Sequence, residues 1–345
     1  MIRRALLLNV GSSSLKWSVL EGADGRAVAS GDEPPGEAGV ERALASAGPV
    51  EAVGHRLVHG GELFSQPIVV DDRVRRDLDE LVDLDPLHLL PALLALDAAR
   101  RALPGVPHVA AFDTAFHATL PEAARVYAVP EAWAKELGAR RYGFHGLSVE
   151  HAVLHVTEVL GGLPARLVVA HLGSGSSITA VRDGRSVDTT MGMTPLEGVI
   201  MATRAGSIDP GLVILAARRL GLDADGIEDA LTYRSGLAAL SGTSGDLREV
   251  RAAARSGSAR ARLALEALEL SIRRALGAMI GSLGGLDALV FTGGIGEHDE
   301  ELRRALTESL AFAGAGSKVP VLVVRSREDR SLHRAVRRAL SPSLS

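Results

Sequence analysis

The chain opens on an apolar run that breaks at glycine and serine and then resumes in alternation: residues 5–20 read ALLLNVGSSSLKWSVL. The same figure returns at residues 167–182, LVVAHLGSGSSITAVR. Each is an apolar run, a small-residue turn (Gly11–Ser14, then Gly173–Ser177) and a second alternating run, which predicts a β-hairpin with a Gly/Ser tip. In both copies a charged turn and a third apolar piece follow, EGADGRAVA and RDGRSVD. This divergent internal repeat implies two related lobes facing a cleft.

Another apolar strand at Ala288–Thr292 runs into GGIGEHDEELRRAL, a glycine turn followed by an amphipathic helix with acidic residues in its first turn. Periodicity predicts further helices near 73–83, 88–102, 121–126, 148–160, 211–220, 224–231 and 258–283, and strands near 51–54, 66–70, 107–111 and 319–324. Residues 31–39 and 241–246 read as loops. Strands and helices alternate, so the class is α/β.

Composition narrows this picture. A length of 345 residues points to two domains, and 46% hydrophobic residues can bury a large core. The formal charge of -4 offers no basic excess for nucleic acid and no basic amphipathic segment for a membrane surface. The absence of cysteine excludes disulfides, thiolate metal sites and cysteine nucleophiles. The apolar run Ala5–Leu8 is too short for a signal-peptide core or a membrane span, so a cytoplasmic location is the expectation. Only three lysines occur, Lys16, Lys135 and Lys318, which makes the one beside a Gly/Ser turn conspicuous.

That turn carries the first candidate chemistry. Phosphate recognition needs close backbone N–H donors, small side chains and positive charge. Asn9-Val10-Gly11-Ser12-Ser13-Ser14-Leu15-Lys16 supplies all three, with Gly11 free to adopt conformations closed to other residues. His171-Leu172-Gly173-Ser174-Gly175-Ser176-Ser177 is the partner without lysine. Neither matches GxxxxGK[ST] or GxGxxG, so a P-loop or Rossmann reading fails on the residues. A single such turn is more often an ordinary hairpin; a matched pair argues for phosphate.

Four polar clusters add to it. Gly54-His55-Arg56-Leu57-Val58-His59-Gly60-Gly61 places an Arg fork, suited to a carboxylate or phosphoryl group, between glycines; a salt-bridged surface turn is the plainer reading. Phe112-Asp113-Thr114-Ala115-Phe116-His117 puts Asp113 at a strand C-terminal end, where α/β sheets carry their chemistry, with helix capping as the alternative. Arg140-Arg141-Tyr142-Gly143-Phe144-His145-Gly146-Leu147-Ser148 leads to a helix capped by Ser148. Residues 188–198, DTTMGMTPLEG, and 203–211, TRAGSIDPG, form a long glycine-punctuated stretch of the kind that carries function.

With NVGSSSLK, HRLVHGG, FDTAFH, RRYGFHGLS, HLGSGSS, DTTMGMTPLEG, TRAGSIDPG and FTGGIGE in this order, nearly the whole chain resembles the acetate kinase family of the acetate and sugar kinase, Hsp70 and actin superfamily. The resemblance implies a fold of two duplicated ribonuclease H-like (actin-like ATPase) lobes around a central cleft. It divides the chain into 1–147 with 330–345, and 148–329 as the nucleotide-binding lobe. It implies reversible phosphoryl transfer between ATP and acetate, giving ADP and acetyl phosphate, with Mg²⁺ (or Mn²⁺) and a homodimer.

By motif position, the resemblance assigns Arg56 and Arg204 to the acetate carboxylate and the moving phosphoryl group. Asp113 orients substrate and arginine, or helps place the metal, and His145 stabilises the transition state. Val58, Leu87, Phe144 and Pro195 surround the acetate methyl. Ser12 and Lys16 face the phosphates, as do His171, Gly173, Ser174 and Gly175. Asp246, Leu247, Arg248, Gly294, Ile295, Gly296 and His298 border the adenosine, and Asn9 and Glu328 belong to the metal.

The chain departs from the family pattern in places. The family's LHNP reads Leu87-His88-Leu89-Leu90, HLGNGSS has Ser174 in place of Asn, GIGEN ends in His298, and TNEE reads Ser326-Arg327-Glu328-Asp329. The stretches between Lys16 and His55 and between GGIGEH and Glu328 are shortened. The alternatives are a propionate or butyrate kinase, a pyrophosphate-linked acetate kinase, and a non-catalytic nucleotide-binding protein of the actin/Hsp70 kind. One methylene separates the first of these by only about 1–3 kcal/mol.

Overall fold

Both repeats fold into hairpins, and each hairpin begins a sheet. The computed structural model describes residues 2–11 and 14–341. They fall into two units: one holds residues up to Ala118, Phe144–His151 and everything from Arg327 onward, the other Thr119–Gly143 and Ala152–Ser326. The first unit contains strands β1 (Arg4–Val10), β2 (Leu15–Glu21), β3 (Arg26–Glu33), β4 (Ala52–Leu57), β5 (Ile68–Val69) and β6 (His108–Phe112) in the spatial order β3-β2-β1-β4-β6-β5. The second contains β7 (Arg166–Leu172), β8 (Ser176–Arg182), β9 (Arg185–Thr189), β10 (Ala288–Thr292) and β11 (Val321–Val323) in the order β9-β8-β7-β10-β11.

The two sheets share one design. In each, three antiparallel strands lead into three parallel ones: β1, β4 and β6, and likewise β7, β10 and β11. The short antiparallel β5 is an addition at the edge of the first sheet. Duplication extends to an irregularity. The β2–β3 register shifts between Val19 and Leu20, and the β8–β9 register between Ala180 and Val181. Measured from the turns these are the same place, because Lys16 pairs with Asn9 as Ser177 pairs with His171. The first turn is one residue longer than the second, so the ungapped match of 5–20 with 167–182 drifts by one residue beyond it.

Strand alternation sorts side chains to two faces. Leu6, Leu8 and Val10 of β1 enter the larger core of the first unit with Leu89, Leu93 and Leu96 of the helix Pro86–Ala102. Ala5 and Leu7 face the other way, against Leu332, Ala335 and Val336 of the helix Glu328–Leu340. That helix lies so close that a Cβ at Gly54 would meet Val336 at 2.6 Å and Leu7 at 2.9 Å. In the second unit the strands pack on the 25-residue helix Ala259–Leu283, capped by Ser258 and closed by the left-handed Gly284.

Several expectations need correction. Residues 31–39 are not one loop: β3 continues to Glu33 and a helix spans Glu37–Ala47. Its buried face is Gly39, Val40, Ala43 and Ala47, small residues that give little hydrophobic periodicity. The helix Leu247–Arg255 also escapes the pattern. The glycine run after β10 is itself a short helix, Gly293–His298. The helix expected at 148–160 starts at Gly146, so Ser148 lies inside it and does not cap it. Gly11 keeps a negative φ and closes its turn by donating N–H to the Ser14 carbonyl at 2.8 Å.

Candidate active site

Parallel strands deliver their C-terminal ends to one edge of a sheet, and in the first unit that edge collects charge. Asn9 stands near the end of β1 and pairs in register with Arg56 of β4. Asp113 follows β6 directly, its backbone N–H donating to the Leu57 carbonyl at 3.0 Å. Glu328 arrives from 319 residues away as the first residue of the C-terminal helix.

These four side chains form one network. The Arg56 guanidinium donates from two nitrogens to Asp113, one bond being 3.2 Å and the other, Nη2 to Oδ2, very short. Its remaining Nη1 donates to Asn9 Oδ1 at 3.0 Å, and Asn9 Nδ2 donates to Glu328 Oε2 at 3.1 Å. Arg56 Nε lies 4.0 Å from that same Glu328 oxygen. The Asn9 amide is thus oriented by its partners, oxygen to the cation and nitrogen to the anion. Asp113 therefore serves Arg56.

Burial sets the electrostatics. Asp113 is 1% exposed and the Arg56 side chain 15%. Burial alone would lower the guanidinium, but Asp113 and then Glu328 more than offset it and hold Arg56 above its ordinary range. Burial pushes the Asp113 carboxyl up, Arg56 pulls it back, and Glu328 adds to the upward push. Breaking such a buried pair on one side costs about 3–5 kcal/mol.

His145 joins this network through its backbone. Its N–H hydrogen-bonds to the Asp113 carboxylate, and the next N–H, of Gly146, donates to the Asp113 carbonyl at 2.8 Å. The His145 backbone takes φ 62°, and a Cβ at Gly146 would stand 2.2 Å from the Asp113 carbonyl oxygen. Val58 and Phe144 of the expected methyl pocket are buried in this unit, and Leu87 is half-buried in the first turn of its helix. Phe144 stands edge-on to His59, ring centroids 5.5 Å apart. Lys16 is exposed beside Asn9 on β2, while Ser12 lies outside the described residues.

In the second unit the corresponding edge carries His171, at the end of β7 and buried. The turn beyond it closes on itself: Gly173 N–H donates to Ser176 Oγ at 3.1 Å, and the Ser174 carbonyl accepts from Ala202 N–H at 3.3 Å. A Cβ at Gly173 would lie 4.0 Å from both the Gly294 nitrogen and His171 Nε2, so the turn and the Gly293–His298 helix approach closely. Arg204 belongs to this unit, its Nη1 reaching the Pro195 carbonyl at 3.4 Å.

The adenosine candidates divide. Asp246 caps the helix Leu247–Arg255 through Arg248 N–H at 2.8 Å, and the Arg248 side chain folds back onto it. Those bonds to Arg248 bring the Asp246 carboxyl down to about 2. Leu247 is buried in the core. Arg251 of that helix grips Asp299 with two bonds of 2.7 Å, which draws it to the segment carrying Gly294, Ile295, Gly296 and His298.

The acetokinase family pattern matches residues 39–331 of this sequence. The chain belongs to the acetokinase family. The matched stretch begins after the first Gly/Ser turn. An acetate kinase of Leifsonia xyli subsp. xyli is 46% identical over 315 residues, covering 85% of this chain and 79% of the relative. An acetate kinase of Deinococcus radiodurans is 44% identical over 344 residues, covering 90% and 86%. Among solved structures, Porphyromonas gingivalis acetate kinase superposes with a TM-score of 0.91 at 34% identity, covering 98% of this chain and all of the other. A propionate kinase from Francisella tularensis subsp. tularensis reaches the same 0.91 at 29% identity, covering 98% and 100%. The acetokinase fold, two duplicated actin-like ATPase halves, is therefore the fold of this chain.

Sequence motifs missed part of the acetokinase framework. Asp85 and His88 pair at 2.8 Å at the start of the helix that carries Leu87, and Asp85 contributes to the field at Arg56. Tyr127, Arg141 and Glu197 form a second cluster in the other unit. RRYG and TPLEG contain two of its three members, but a motif match does not say which side chains meet.

Proposed function

We propose that this acetokinase-family chain is a kinase that phosphorylates acetate from ATP, reversibly and by direct transfer. The observation that supports this most strongly is the Arg56–Asp113 pair, tied through Asn9 to Glu328, at the C-terminal edge of three parallel strands. A buried arginine held permanently charged suits a carboxylate substrate and a moving phosphoryl group.

The acceptor needs no general base, because a carboxylate is ionised at neutral pH. One of its oxygens attacks the γ-phosphorus while the bond from that phosphorus to the β–γ bridging oxygen breaks, and ADP leaves with the electron pair. Arg56 binds the acceptor or the transferring group, and Asp113 fixes its fork. Arg204 supplies a second positive charge, and His145, fixed by its backbone to Asp113, adds a third donor. Val58, Leu87, Phe144 and Pro195 exclude water around the methyl. Lys16, with Ser12 from the same turn, and His171 with Gly173, Ser174 and Gly175 serve the phosphates. Asp246, Arg248, Gly294, Ile295, Gly296 and His298 serve the adenosine; Leu247 supports them from the core.

The residues also suit Mg²⁺, or Mn²⁺. Magnesium usually takes one or two carboxylates with substrate phosphates and water. Glu328 fits: it is partly exposed, and among the described residues both its hydrogen bond, from Asn9, and its nearest cation, Arg56, fall on the one oxygen Oε2. Because Asn9 Oδ1 is taken by Arg56, its part is to aim Glu328. The ion would neutralise charge on the nucleotide phosphates. A homodimer is supported by the helix Pro210–Leu220, which buries none of its residues and exposes Leu212, Ile214, Leu215 and Leu220. No described helix is long and apolar enough to cross a membrane, and ATP use suits a cytoplasmic setting.

The test is hydroxamate trapping of acyl phosphate with ATP, Mg²⁺ and a panel of acetate, propionate and butyrate. Acetate gives the highest kcat/KM. Acyl phosphate from none of the acids would overturn the proposal; a preference for propionate would shift it to the substrate named for the Francisella structure. Substituting pyrophosphate for ATP gives no product if ATP is the donor.

A further inference from the structure

Residues 189–207 cross the second unit as a strap with almost no regular structure, yet they hold Pro195 and Arg204. Such a segment keeps a side chain aimed only if something outside it fixes its backbone. Over residues 189–197 that fixation is concentrated on three side chains that no motif role covers, Tyr127, Arg141 and Glu197. Residues 200–205 are held separately, the Ile200 and Ala205 N–H groups donating to Ser271 Oγ and the Leu231 carbonyl, and the Met201, Ala202 and Thr203 carbonyls accepting from Leu237, Ala238 and Ser235.

Arg141 Nη1 donates to three successive strap carbonyls, Thr189 and Thr190 at 3.1 Å and Met191 at 3.0 Å. Its Nη2 donates to Glu197 Oε1 at 2.7 Å. The other Glu197 oxygen accepts from the Tyr127 hydroxyl at 2.6 Å, and that hydroxyl accepts from Met193 N–H at 3.0 Å. The guanidinium lies over the Tyr127 ring, 5.6 Å from its centroid. Tyr142 and Gly143 N–H groups both donate to the Gly192 carbonyl, at 3.0 and 3.2 Å. Gly192 sits inside this junction: a Cβ there would stand 1.9 Å from Glu197 Oε2 and 2.1 Å from the Tyr127 hydroxyl.

The charges reinforce the geometry. Burial, and next the neighbouring Glu197, push the Tyr127 hydroxyl far above its ordinary range, so it remains a donor at all working pH. Burial would lower Arg141, but Glu197 more than restores it. Charge-assisted bonds of this length in a partly buried setting are roughly twice as strong as neutral ones.

We propose that Tyr127, Arg141 and Glu197 are positioning residues, a three-way junction that locks residues 189–197 and so places Pro195, whose carbonyl accepts from Arg204 Nη1 at 3.4 Å and in that way aims the Arg204 guanidinium. None of the three needs to touch substrate. The inference rests on the acceptor-side role given above to Arg204, so its test carries a readout that does not require turnover.

Tyr127→Phe removes one hydroxyl from the junction, and Glu197→Gln keeps the shape while removing the charge. Amide hydrogen exchange is compared with that of the unaltered chain, alongside KM for acetate and for ATP. In Tyr127→Phe, exchange across 189–197 rises about 10-fold while β7 and β10 stay protected, KM for acetate rises about 10-fold, and KM for ATP stays within about 2-fold, a displacement well short of the 10² that follows a 1 Å misplacement. Glu197→Gln keeps more activity than Glu197→Ala. Unchanged exchange in the strap, or equal rises in both KM values, would overturn the junction. If the unaltered protein makes no acyl phosphate, the acetate kinase reading fails, while the exchange comparison still decides whether the junction holds the strap.

Discussion

The side-chain amide of Asn9 joins Arg56 to Glu328, accepting from the first at 3.0 Å and donating to the second at 3.1 Å. Asn9→Ala removes both bonds without removing either charge. Arg56 and Glu328 then face each other without the spacer that orients them. We expect kcat to fall about 10²-fold, the scale of losing one oriented donor, with the Mg²⁺ concentration for half-maximal rate rising at the same time. A magnesium titration of the variant checks this; a loss of kcat with unchanged magnesium dependence would remove Glu328 from the metal.

Asp113→Asn tests the buried pair. The amide can still accept one hydrogen bond from Arg56, but the guanidinium loses its buried counter-ion. Acetyl phosphate formation should drop by about 10² or more, and unfolding free energy should fall by about 3–5 kcal/mol. Urea titration followed by a rate assay on the folded fraction separates the two effects.

Histidine gives the first unit an acid limit. His117 is buried, its Nε2–H donates to the Phe144 carbonyl at 2.9 Å, and burial brings it down to about 4 from 6.5. His55 and His108 stack with ring nitrogens 3.0 Å apart and are lowered first by burial as well, with His108 and Arg100 adding to the effect on His55. Above pH 6.5 folded and unfolded chains are both neutral here, so stability is complete. Below it the unfolded chain takes up protons that the folded one refuses, and stability falls until about pH 4. For His117 alone the loss is about 3 kcal/mol, at about 1.4 kcal/mol per unit. Urea midpoints should decline from pH 6.5 to 4, and His117→Asn should flatten the slope.

The apolar helix Pro210–Leu220 makes oligomeric state a direct test. Its Leu212 is 56% exposed and Ile214 52%. The unaltered chain should have the mass of the proposed homodimer by light scattering, and Leu212→Glu together with Ile214→Glu should lower it to that of a monomer without changing the secondary structure seen by circular dichroism. A dimer that survives both changes would locate its interface elsewhere.

Much of this was legible in the chain because local pattern and function coincided. The two hairpins announced themselves by alternation and by Gly/Ser tips, Arg56 and His145 stood in glycine-punctuated segments, and Asp113 stood at the end of an apolar strand. What escaped had weak local signals. The helix Glu37–Ala47 buries glycine and alanine where a helix is expected to bury leucine. Glu328 could be placed only by family position, since its meeting with Asn9 depends on how the C-terminal helix returns across β1 and β4. The Tyr127–Glu197 bond spans 70 residues of sequence, a separation at which no periodicity speaks.

The single extra residue in the first Gly/Ser turn has a consequence for how the two halves correspond. It leaves Lys16 and Ser177, not Lys16 and Ile178, as equivalent positions. Because neighbouring side chains on a strand point to opposite faces, copying the residues of β8 onto β2 by the ungapped match, on the longer first turn, would place each side chain on the wrong face. Like faces of the two halves are therefore compared only after a gap is opened at this turn, and one turn then leads to a lysine where the other leads to a serine.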